Sequence, residues 1–326
     1  MELIDAASLR AMVPMERLLD AVEAAYRDVA SGRDHSPLRQ HVALPGGGLL
    51  VLMPAVREGG AGAAVKLITW VPGNPDRGLP TIQGVVTWFD AATGEPAVQL
   101  DAPTVTAMRT GAASGVGSRL MARPDAAVMA LFGAGVQAEW QIRAVLTARP
   151  IREVRVYART PAPRNAFAAA MDAGLPVAVR AVDEPEEAVR DADIVCCVTP
   201  SATPVFDAAW LAPGAHVNAI GSFRMGMVEV PPEAFGRAAL VAVDSRAAAA
   251  AEAGDLAAAV TAGQLGADDY VEIGSLTRDW AAKRDPSAIT VFKSVGLAIQ
   301  DLATADLAVE AWRQRRSPNE PRGALD

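Results

Sequence analysis

The stretch AVMALFGAGVQA, residues 127–138, decides the fold of this chain. Its first half is an uncharged run typical of a buried strand, and its second half, GAGVQA, fits the pattern GxGxxG/A and opens a helical pattern. Gly133 permits a tight turn, Gly135 lets the backbone approach a phosphate, and Ala138 keeps the helix close to the strand. Because N–H groups at a helix N-terminus attract anions, the stretch predicts a dinucleotide-binding site on a Rossmann-type domain.

The end of the next predicted strand, VRVYART at 154–160, bears on which nicotinamide cofactor would bind. An NAD site usually has Asp or Glu at this point to hold the ribose hydroxyls. Here Ala158 is followed by Arg159, and Arg164 lies nearby. Because a 2′-phosphate attracts Arg through charge-assisted hydrogen bonds, the pattern favours NADP(H). The alternative is that Arg159 stacks on the adenine and discriminates poorly, which leaves NAD(H) as a second candidate.

The patterns on either side of the motif predict two kinds of sheet. From residue 126 onward, continuous apolar strands alternate with helices, which is typical of a parallel sheet covered on both faces. Residues 38–100 contain strand patterns broken by Pro- and Gly-rich turns and predict an antiparallel sheet. Helices are predicted at 1–32, at 103–122, where small residues suit a close backbone or a flat cofactor, and at 290–316. We therefore expect an α/β protein with a Rossmann-type parallel sheet domain and an α+β domain.

The composition of the 326-residue chain argues against several classes of protein. A net charge of −8 argues against a general nucleic-acid binder, which would normally carry a basic surface. The N-terminal segment lacks the pattern of a signal peptide, and no apolar run is long enough to span a bilayer. The two cysteines, Cys196 and Cys197, are adjacent and lack partners at metal-ligand spacing. We expect a cytoplasmic enzyme without a metal, a nucleic-acid partner or a membrane partner.

Three cationic residues lie where an unpaired charge would be costly. Lys66 sits in the middle of the predicted strand AAVKLITW, Arg109 lies in the small-residue helix, and Arg39 starts the strand in PLRQHV. Burying such a charge is unfavourable unless a counter-charge or a ligand meets it. A substrate carboxylate, held by Arg through paired hydrogen bonds, would meet this need. Each residue taken alone is better explained by a salt bridge or by a side chain that reaches solvent.

Several segments together resemble the ornithine cyclodeaminase/mu-crystallin family, and the resemblance extends over essentially the whole chain. The segments are VKLITWVPGNPDRGLPTIQGVV (65–86), AMRTGAASGVGSRLMARPDA (107–126), LFGAGVQAEWQIRAV (131–145), VRVYART (154–160) and TVFKSVGLAIQDLATA (290–305). The resemblance implies a homodimer whose first domain carries the substrate and dimer contacts. It also implies that Arg39, Lys66 and Arg109 bind the carboxylate of a small-molecule substrate, and that Lys66 is placed for proton transfer.

The resemblance also assigns residues to the cofactor. Matching positions are Thr81, Thr110, Thr199, Ile220, Gly221 and Ser294, and the motifs described above add Gly133, Ala134, Gly135, Val136, Gln137, Arg159, Thr160 and Arg164. On this basis we expect residues 121–299 to form the NADP(H)-binding Rossmann domain. Residues 1–120 and 300–326 would form the substrate-binding and dimerisation domain.

One position departs from the pattern of the cyclodeaminases. They carry an Asp in the loop after the strand that ends in AIG, where it handles the substrate amine, whereas this chain has Phe223. A phenyl ring accepts no proton, and at the substrate it would suit an apolar or cyclic imine. Ketimine reductases of the mu-crystallin type also lack the Asp. The departure favours NADPH-dependent reduction of the C=N bond of a ketimine carboxylate such as 1-pyrroline-2-carboxylate.

Three other functions stay open on this evidence. They are an ornithine cyclodeaminase with tightly held NAD⁺, reductive amination of a 2-keto acid as in alanine dehydrogenase-like members, and a non-catalytic NADP(H)-dependent binding protein. Lys66 beside two Arg residues argues for catalysis. Sequence spacing gives no triad or metal role to the histidines, which are expected in the core or on the surface, namely His35, His41 and His216. Asp101 and Asp301 could lie near the site, but the resemblance assigns them no task.

Overall fold

The computed structural model describes residues 1–315, and its N-terminal part is built on a six-stranded sheet. The strands are β1 (Glu2–Ile4), β2 (Gln40–Leu44), β3 (Gly48–Val56), β4 (Gly62–Trp70), β5 (Ile82–Asp90) and β6 (Pro96–Asp101). In space they follow the order β1-β6-β5-β4-β3-β2. Strands β2 to β6 pair antiparallel, which confirms the prediction for residues 38–100, and β1 adds a parallel pair with β6.

The prediction of one helix over residues 1–32 is wrong, because β1 and two helices occupy this segment. Helix α1 (Ala6–Met12) begins where the Asp5 side chain accepts a backbone hydrogen bond of 2.8 Å. Pro14 separates α1 from α2 (Met15–Ala30), since proline lacks an N–H and disfavours helical geometry at the preceding residue. The apolar positions at helical spacing that suggested a single helix all belong to α2, namely Met15, Leu18, Leu19, Val22, Ala25 and Tyr26.

Helix α3 (Ala102–Met121) confirms the predicted helix of small residues and packs against both halves of the molecule. Nearly all of it is buried. A Cβ on Gly111 would lie 2.4 Å from the carbonyl oxygen of Trp140 in α4 (Val136–Ala148). The small residues therefore allow α3 to pack directly against the backbone of α4, which joins the two halves tightly.

The second sheet confirms the predicted Rossmann-type architecture. Its eight strands are β7 (Val128–Phe132), β8 (Glu153–Tyr157), β9 (Ala178–Ala181), β10 (Ile194–Cys197), β11 (His216–Ala219), β12 (Ala238–Val243), β13 (Val271–Glu272) and β14 (Ile289–Lys293). All neighbours pair parallel, in the order β13-β12-β14-β11-β10-β7-β8-β9. After α4, the connecting helices are α5 (Pro161–Gly174), α6 (Pro185–Val189), α7 (Pro232–Gly236), α8 (Arg246–Glu252), α9 (Gly254–Thr261) and α10 (Trp280–Lys283).

The prediction of one long helix over residues 290–316 is also wrong in its first part. The segment starts as β14, a central strand of the parallel sheet, and only then forms α11 (Ala298–Arg315). The β-branched and aromatic residues of β14 suit a buried strand, and Gly296, with a φ of +85°, lies in the turn before the helix. Helix α11 then packs against α2, β3 and β4, as the predicted return to the first domain requires.

Two further predictions can be placed on the structure. Within residues 1–315, no helix is both long and apolar enough to cross a membrane. Both cysteines lie on β10 with buried, free thiols. The division into residues 1–120 with 300–326 and residues 121–299 stays a prediction, and its last eleven residues, 316–326, lie outside the described part of the chain.

Candidate active site

A cavity of about 290 Å³ lies between the inner face of the six-stranded sheet and the carboxyl edge of the parallel sheet. Strands β3 to β5, helices α3 and α4, and the loops after β10, β11 and β14 all contribute to its walls. The structure brings many of the predicted site residues together here, namely Arg39, Lys66, Arg109, Thr110, Gln137, Thr199, Ile220, Gly221, Phe223 and Ser294. The position agrees with the general rule that α/β sheets bind ligands at their carboxyl edge.

The other predicted site residues lie outside the cavity wall. The glycine motif, including Gly133, Ala134, Gly135 and Val136, follows β7 at the same sheet edge. Thr81 immediately precedes the lining residue Ile82. After β8, Arg159 and Thr160 are exposed, whereas Arg164 is buried and donates to the carboxylate of Asp183. Of the two arginines assigned to a 2′-phosphate, Arg159 is therefore the one whose side chain is open to a ligand.

Lys66 points from β4 into the cavity with 1% of its surface exposed. Its Nζ lies 2.7 Å from Oδ2 of Asp301 on α11. Burial in place of water lowers the pKa of Lys66 to about 7, with Asp301 opposing the shift and Arg109 adding to it. An amine that titrates near neutral pH can both donate and accept a proton under physiological conditions.

Arg109 reaches the same carboxylate from α3. Its Nε lies 3.2 Å from Oδ1 of Asp301, and its Nη1 donates to Oε1 of Gln300 at 3.3 Å. Asp301 thus holds Lys66 and Arg109 side by side, a task that the sequence did not assign to it. The signal was hidden because Asp301 occupies an ordinary helical position, and only the return of α11 to β4 brings it to the cations.

Arg39 completes the cluster from the segment before β2. Its Nε lies 3.0 Å from Oε2 of Glu252, and its Nη2 donates at 2.6 Å to the carbonyl oxygens of both Val295 and Gly296. Burial lowers the pKa of Arg39, although a guanidinium stays charged at neutral pH. The ion pairs thus join three cations to two carboxylates, and the cationic groups that line the cavity are suited to bind a further anion such as a substrate carboxylate.

Asp244 fixes the loop that carries these carbonyl groups. Its Oδ2 accepts hydrogen bonds of 2.8 Å from the Ser294 hydroxyl and from the N–H groups of Val295 and Gly296. The Ser294 hydroxyl is thus already engaged although the residue lines the cavity. Asp244 is 1% exposed, so the loop is held by a carboxylate that water does not reach freely.

Aromatic and basic groups form the outer part of the cavity. Phe223 and Trp70 line it, and the guanidinium of Arg224 lies 5.1 Å from the centre of the Trp70 ring. His41 also lines the wall, with its pKa lowered by burial and by Arg39. Sequence spacing gave no reason to select His41, because its place follows from the pairing of β2 with β3.

The other two histidines take the expected roles in the core or at the surface. His35 is exposed. His216 is buried, its ring nitrogens lie 2.9 Å from the Thr290 hydroxyl and 3.2 Å from Oδ1 of Asn218, and burial lowers its pKa to about 3. Within residues 1–315, no cluster of three His, Cys, Asp or Glu side chains is arranged to hold a metal ion.

The site suits a nicotinamide dinucleotide on observations of the chain itself. Gly135 caps α4 without a side-chain hydrogen bond, which leaves N–H groups of the first helical turn for a phosphate. Two buried polar atoms on the cavity wall, Oγ1 of Thr106 and Oε1 of Gln137, make no hydrogen bond within the described chain. A bound ligand with polar groups would satisfy them.

Comparison with known proteins identifies the class to which this fold and site belong. A sequence model of the ornithine cyclodeaminase/mu-crystallin family matches residues 3–316, and the chain belongs to this family. Among curated proteins, a Delta(1)-pyrroline-2-carboxylate reductase of Bacillus cereus is 35% identical over 313 residues, covering 95% of this chain and 96% of that protein.

Solved structures agree over nearly the full length. The Delta(1)-pyrroline-2-carboxylate reductase of Thermococcus litoralis, solved with NADH and L-proline, superposes with a TM-score of 0.89 at 31% identity, covering 96% of this chain and 98% of that one. An archaeal alanine dehydrogenase dimer with bound NAD gives a TM-score of 0.87 at 31% identity, with 97% of both chains covered. The expected resemblance and fold class are thereby confirmed.

Proposed function

We propose that this chain is an NAD(P)H-dependent reductase of the C=N bond of a ketimine carboxylate, such as 1-pyrroline-2-carboxylate, and forms the corresponding amino acid. The observation that carries the proposal is the cluster of Arg39, Lys66 and Arg109 at a cavity beside the dinucleotide motif, in which Lys66 and Arg109 are buried. The full-length similarity to pyrroline-2-carboxylate reductases supports the same reaction.

The three cations of the cluster have different roles in the proposed reaction. Arg39 and Arg109 would bind the substrate carboxylate and thereby fix the position of the neighbouring imine carbon. The reduced nicotinamide, when bound, supplies the hydride to that carbon. Lys66 in its ammonium form donates a proton to the imine nitrogen, so that C=N becomes CH–NH, and solvent then restores its proton. A donor with a pKa of about 7 is well matched to this step at neutral pH.

The groups that line the cavity distinguish this reaction from its alternatives. Phe223 lines the cavity where an amine-handling Asp would be needed for cyclodeamination, which argues against ornithine as the substrate. Lys66 at the cavity argues against a purely binding role. Reductive amination of a 2-keto acid is the second candidate, because the archaeal alanine dehydrogenase superposes along nearly the whole chain.

A preference for NADP(H) over NAD(H) forms part of the proposal. Arg159 is exposed after β8 at a position where NAD-specific sites usually have a carboxylate, and Thr160 follows it. Arg164 contributes less, because its guanidinium already pairs with Asp183. The solved relatives contain NADH or NAD, so the preference rests on Arg159 in this chain.

We also propose that the protein is a homodimer. Part of the outer face of the six-stranded sheet is apolar, and Val42 and Leu67 are 51% and 39% exposed on it. Leu50 and Leu52 lie beside them in the strand register. A second copy that covers this face would bury these side chains, and the alanine dehydrogenase with a similar fold is a dimer. Cytoplasmic location stays a prediction from the sequence.

One assay tests the proposed reaction against its alternatives. Oxidation of NADPH and of NADH is followed with cyclic imino acids, with 2-keto acids plus ammonia or an amine, and with ornithine as a control. We expect oxidation with the imino acid alone, and faster with NADPH. A strict requirement for ammonia or an amine would establish reductive amination, and ammonia release from ornithine without net cofactor change would establish cyclodeamination.

A further inference from the structure

The carboxylate of Glu229 links two loops that line the cavity from the side of the parallel sheet. Its Oε2 accepts hydrogen bonds from the Thr199 N–H at 2.7 Å and the Thr199 hydroxyl at 3.0 Å, in the loop after β10. Its Oε1 accepts from the N–H groups of Gly221 and, at 3.2 Å, Ser222, in the loop after β11. Glu229 itself is fully buried and does not line the cavity.

The two loops lie in direct contact at this point. A Cβ on Gly221 would lie 2.3 Å from the Thr199 nitrogen and 2.7 Å from Oε2 of Glu229. Thr199 and Gly221 line the cavity on their other side, together with Val198, Pro200 and Ile220. The carboxylate therefore lies directly behind a wall made from both loops.

The buried ion pair between Asp255 and Lys293 holds the backbone of Glu229 in place. The N–H of Glu229 donates to Oδ1 of Asp255 at 2.6 Å, and Oδ2 of Asp255 lies 2.8 Å from Nζ of Lys293 at the end of β14. Lys293 also donates to the carbonyl oxygen of Ser222. The side chains of Glu229, Asp255 and Lys293 are fully buried, and this network joins the loops after β10 and β11 to the end of β14.

The location of this wall indicates which part of the cofactor it would contact. Phosphates are expected at the start of α4, which follows β7, and Arg159 lies after β8 on one side of it. Strands β10 and β11 lie on the other side of β7, next to the cavity that contains Lys66 and Arg109. A dinucleotide that spans this edge would place its adenosine half near β8 and its nicotinamide half against the two loops.

We propose that Glu229 is a positioning residue for the nicotinamide ring, because its ionised carboxylate locks together the two loops on which the ring would rest. The inference depends on the proposed nicotinamide cofactor but not on the identity of the imine. Four donors point at one carboxylate, so a neutral side chain of the same size must leave at least one donor without an acceptor. The loop that loses its acceptor is then free to shift relative to the other.

The electrostatics of the network agree with this role. Burial and the neighbouring Asp255 raise the pKa of Glu229 to about 7, while Lys293 and the hydrogen bonds from Thr199 lower it. The thiols of Cys196 and Cys197 on β10 are neutral near pH 7, because burial raises the pKa of both. The carboxylate is therefore fully ionised only above about pH 7, and its protonation as the pH falls through this value would loosen the same contacts that a neutral substitution removes.

The principal test is Glu229→Gln, measured on the full chain. The fluorescence of bound reduced cofactor reports the surroundings of the nicotinamide, and binding of ADP-ribose reports only the other half. NADPH is used with 2′-phospho-ADP-ribose, or NADH with ADP-ribose, according to which cofactor the parent binds more tightly. We expect loss of the fluorescence enhancement and a kcat lower by about 10- to 100-fold, with affinity for the ADP-ribose probe within about twofold of the parent.

Asp193→Asn is the matched control. Asp193 also accepts backbone hydrogen bonds in the parallel sheet, from Ala127 and Val128, but it lies at the opposite, amino edge. We expect it to lower thermal stability without changing the nicotinamide fluorescence. If Glu229→Gln behaved in the same way, or weakened both probes equally, its role would be structural only and the proposal would fail.

A second pair of variants keeps the test decisive if Glu229→Gln does not fold. Thr199→Val removes the hydroxyl that donates to Glu229 at nearly constant volume, and Thr199→Ser retains it. We expect a several-fold loss of kcat in the first and a clearly smaller loss in the second. Where the Gln variant folds, Thr199→Val added to it should cause no further loss. Equal kcat in the Val and Ser variants would contradict the proposal.

Cofactor binding by the parent protein allows this inference to be tested separately from the proposed reaction. If no imine is reduced but bound cofactor fluoresces, Glu229→Gln must still remove the fluorescence enhancement. Retention of the fluorescence enhancement in that variant would contradict the positioning role of Glu229, whatever the outcome for the proposed reaction.

Discussion

Two buried charge clusters, each built on one lysine, face each other across the loops of the parallel sheet and differ in the sign of their excess charge. In the first, Lys66 and Arg109 share the single carboxylate of Asp301. In the second, Lys293 pairs with Asp255, and Glu229 adds a further carboxylate that backbone N–H groups satisfy. Both lysines are at most 1% exposed.

The difference shows how buried charge can serve binding in one place and rigidity in another. Cations in excess at a cavity favour the binding of an anion such as a substrate carboxylate, and this cluster is therefore suited to bind a ligand. An excess of carboxylate charge behind the cavity is met within the protein, by four donors from two loops. The first cluster should be sensitive in activity, and the second in stability and loop geometry.

The largest expected effect comes from removing the lysine of the first cluster. Lys66→Met should lower kcat for imine reduction by about 10²–10⁴-fold, because the proton donor is lost while Asp301 keeps its contact with Arg109. Cofactor binding should stay near that of the parent, whereas thermal stability should fall, because Oδ2 of Asp301 loses its partner. Steady-state kinetics and a melting curve on the same preparation check both statements, and a variant with the parent kcat would remove Lys66 from the mechanism.

The corresponding change in the second cluster should have its main effect on stability. Lys293→Met leaves Asp255 and Glu229 buried without their cation, and breaking such a pair costs about 3–5 kcal/mol. Denaturant unfolding measures the loss. Lys283→Met is the control, because Lys283 is exposed and pairs with Asp279 within one helical turn, where the expected loss is at most about 0.5 kcal/mol. Equal losses in the two variants would contradict the comparison.

The carboxylate of the first cluster should set the pH range of the reaction. Lys66 donates a proton only in its ammonium form, so reduction should fall as the pH rises through about 7. Asp301 favours the ammonium form, and Asp301→Asn should therefore move this fall to lower pH by about 1 unit or more. The pH profile of kcat for the parent and for Asp301→Asn measures this shift, and a shift to higher pH would contradict the role of Lys66 as the proton donor.

The smallest effect is expected from a cation that lies outside both clusters. Arg159 is exposed to water, where an ion pair contributes little, and Arg159→Gln should reduce the preference for NADPH over NADH by only about five- to tenfold. The ratio of kcat/KM for the two cofactors measures it. Arg152→Gln, at the other end of β8, is the control and should leave this ratio unchanged.

Local patterns predicted those parts of the fold that depend on neighbouring residues. The alternation of apolar strands and helices after residue 126 was sufficient to predict the parallel sheet. The small residues of α3 predicted a close contact with another backbone or a flat cofactor, and the structure shows that the contact is with the backbone of α4. The same approach failed at β14, because a short apolar strand containing Lys293 and followed by a helix resembles one continuous helix. At Pro14 the break in the N-terminal helix was present in the sequence, and the periodicity of α2 obscured it.

The candidate site was predictable only in part, for a related reason. Lys66, Arg109 and Phe223 stood out because a charge in an apolar strand, an arginine among small residues and a departure from a family pattern are visible locally. Asp301 was named only as a residue that could lie near the site, without a task, and Glu229 and His41 were not selected. Their tasks arise from contacts between segments far apart in sequence. Arg109 and Asp301, for example, are 192 residues apart.

This separation has a consequence for how the protein folds as it is synthesised. The parallel sheet is inserted between α3 and α11, so Lys66 and Arg109 leave the ribosome long before the carboxylate that neutralises them. Until α11 docks, two cations lie near each other without their counter-charge, and the six-stranded sheet cannot close over them at low cost. Because β14 leads directly into α11, completion of the nucleotide-binding sheet and closure of the substrate cavity should be one late, cooperative event.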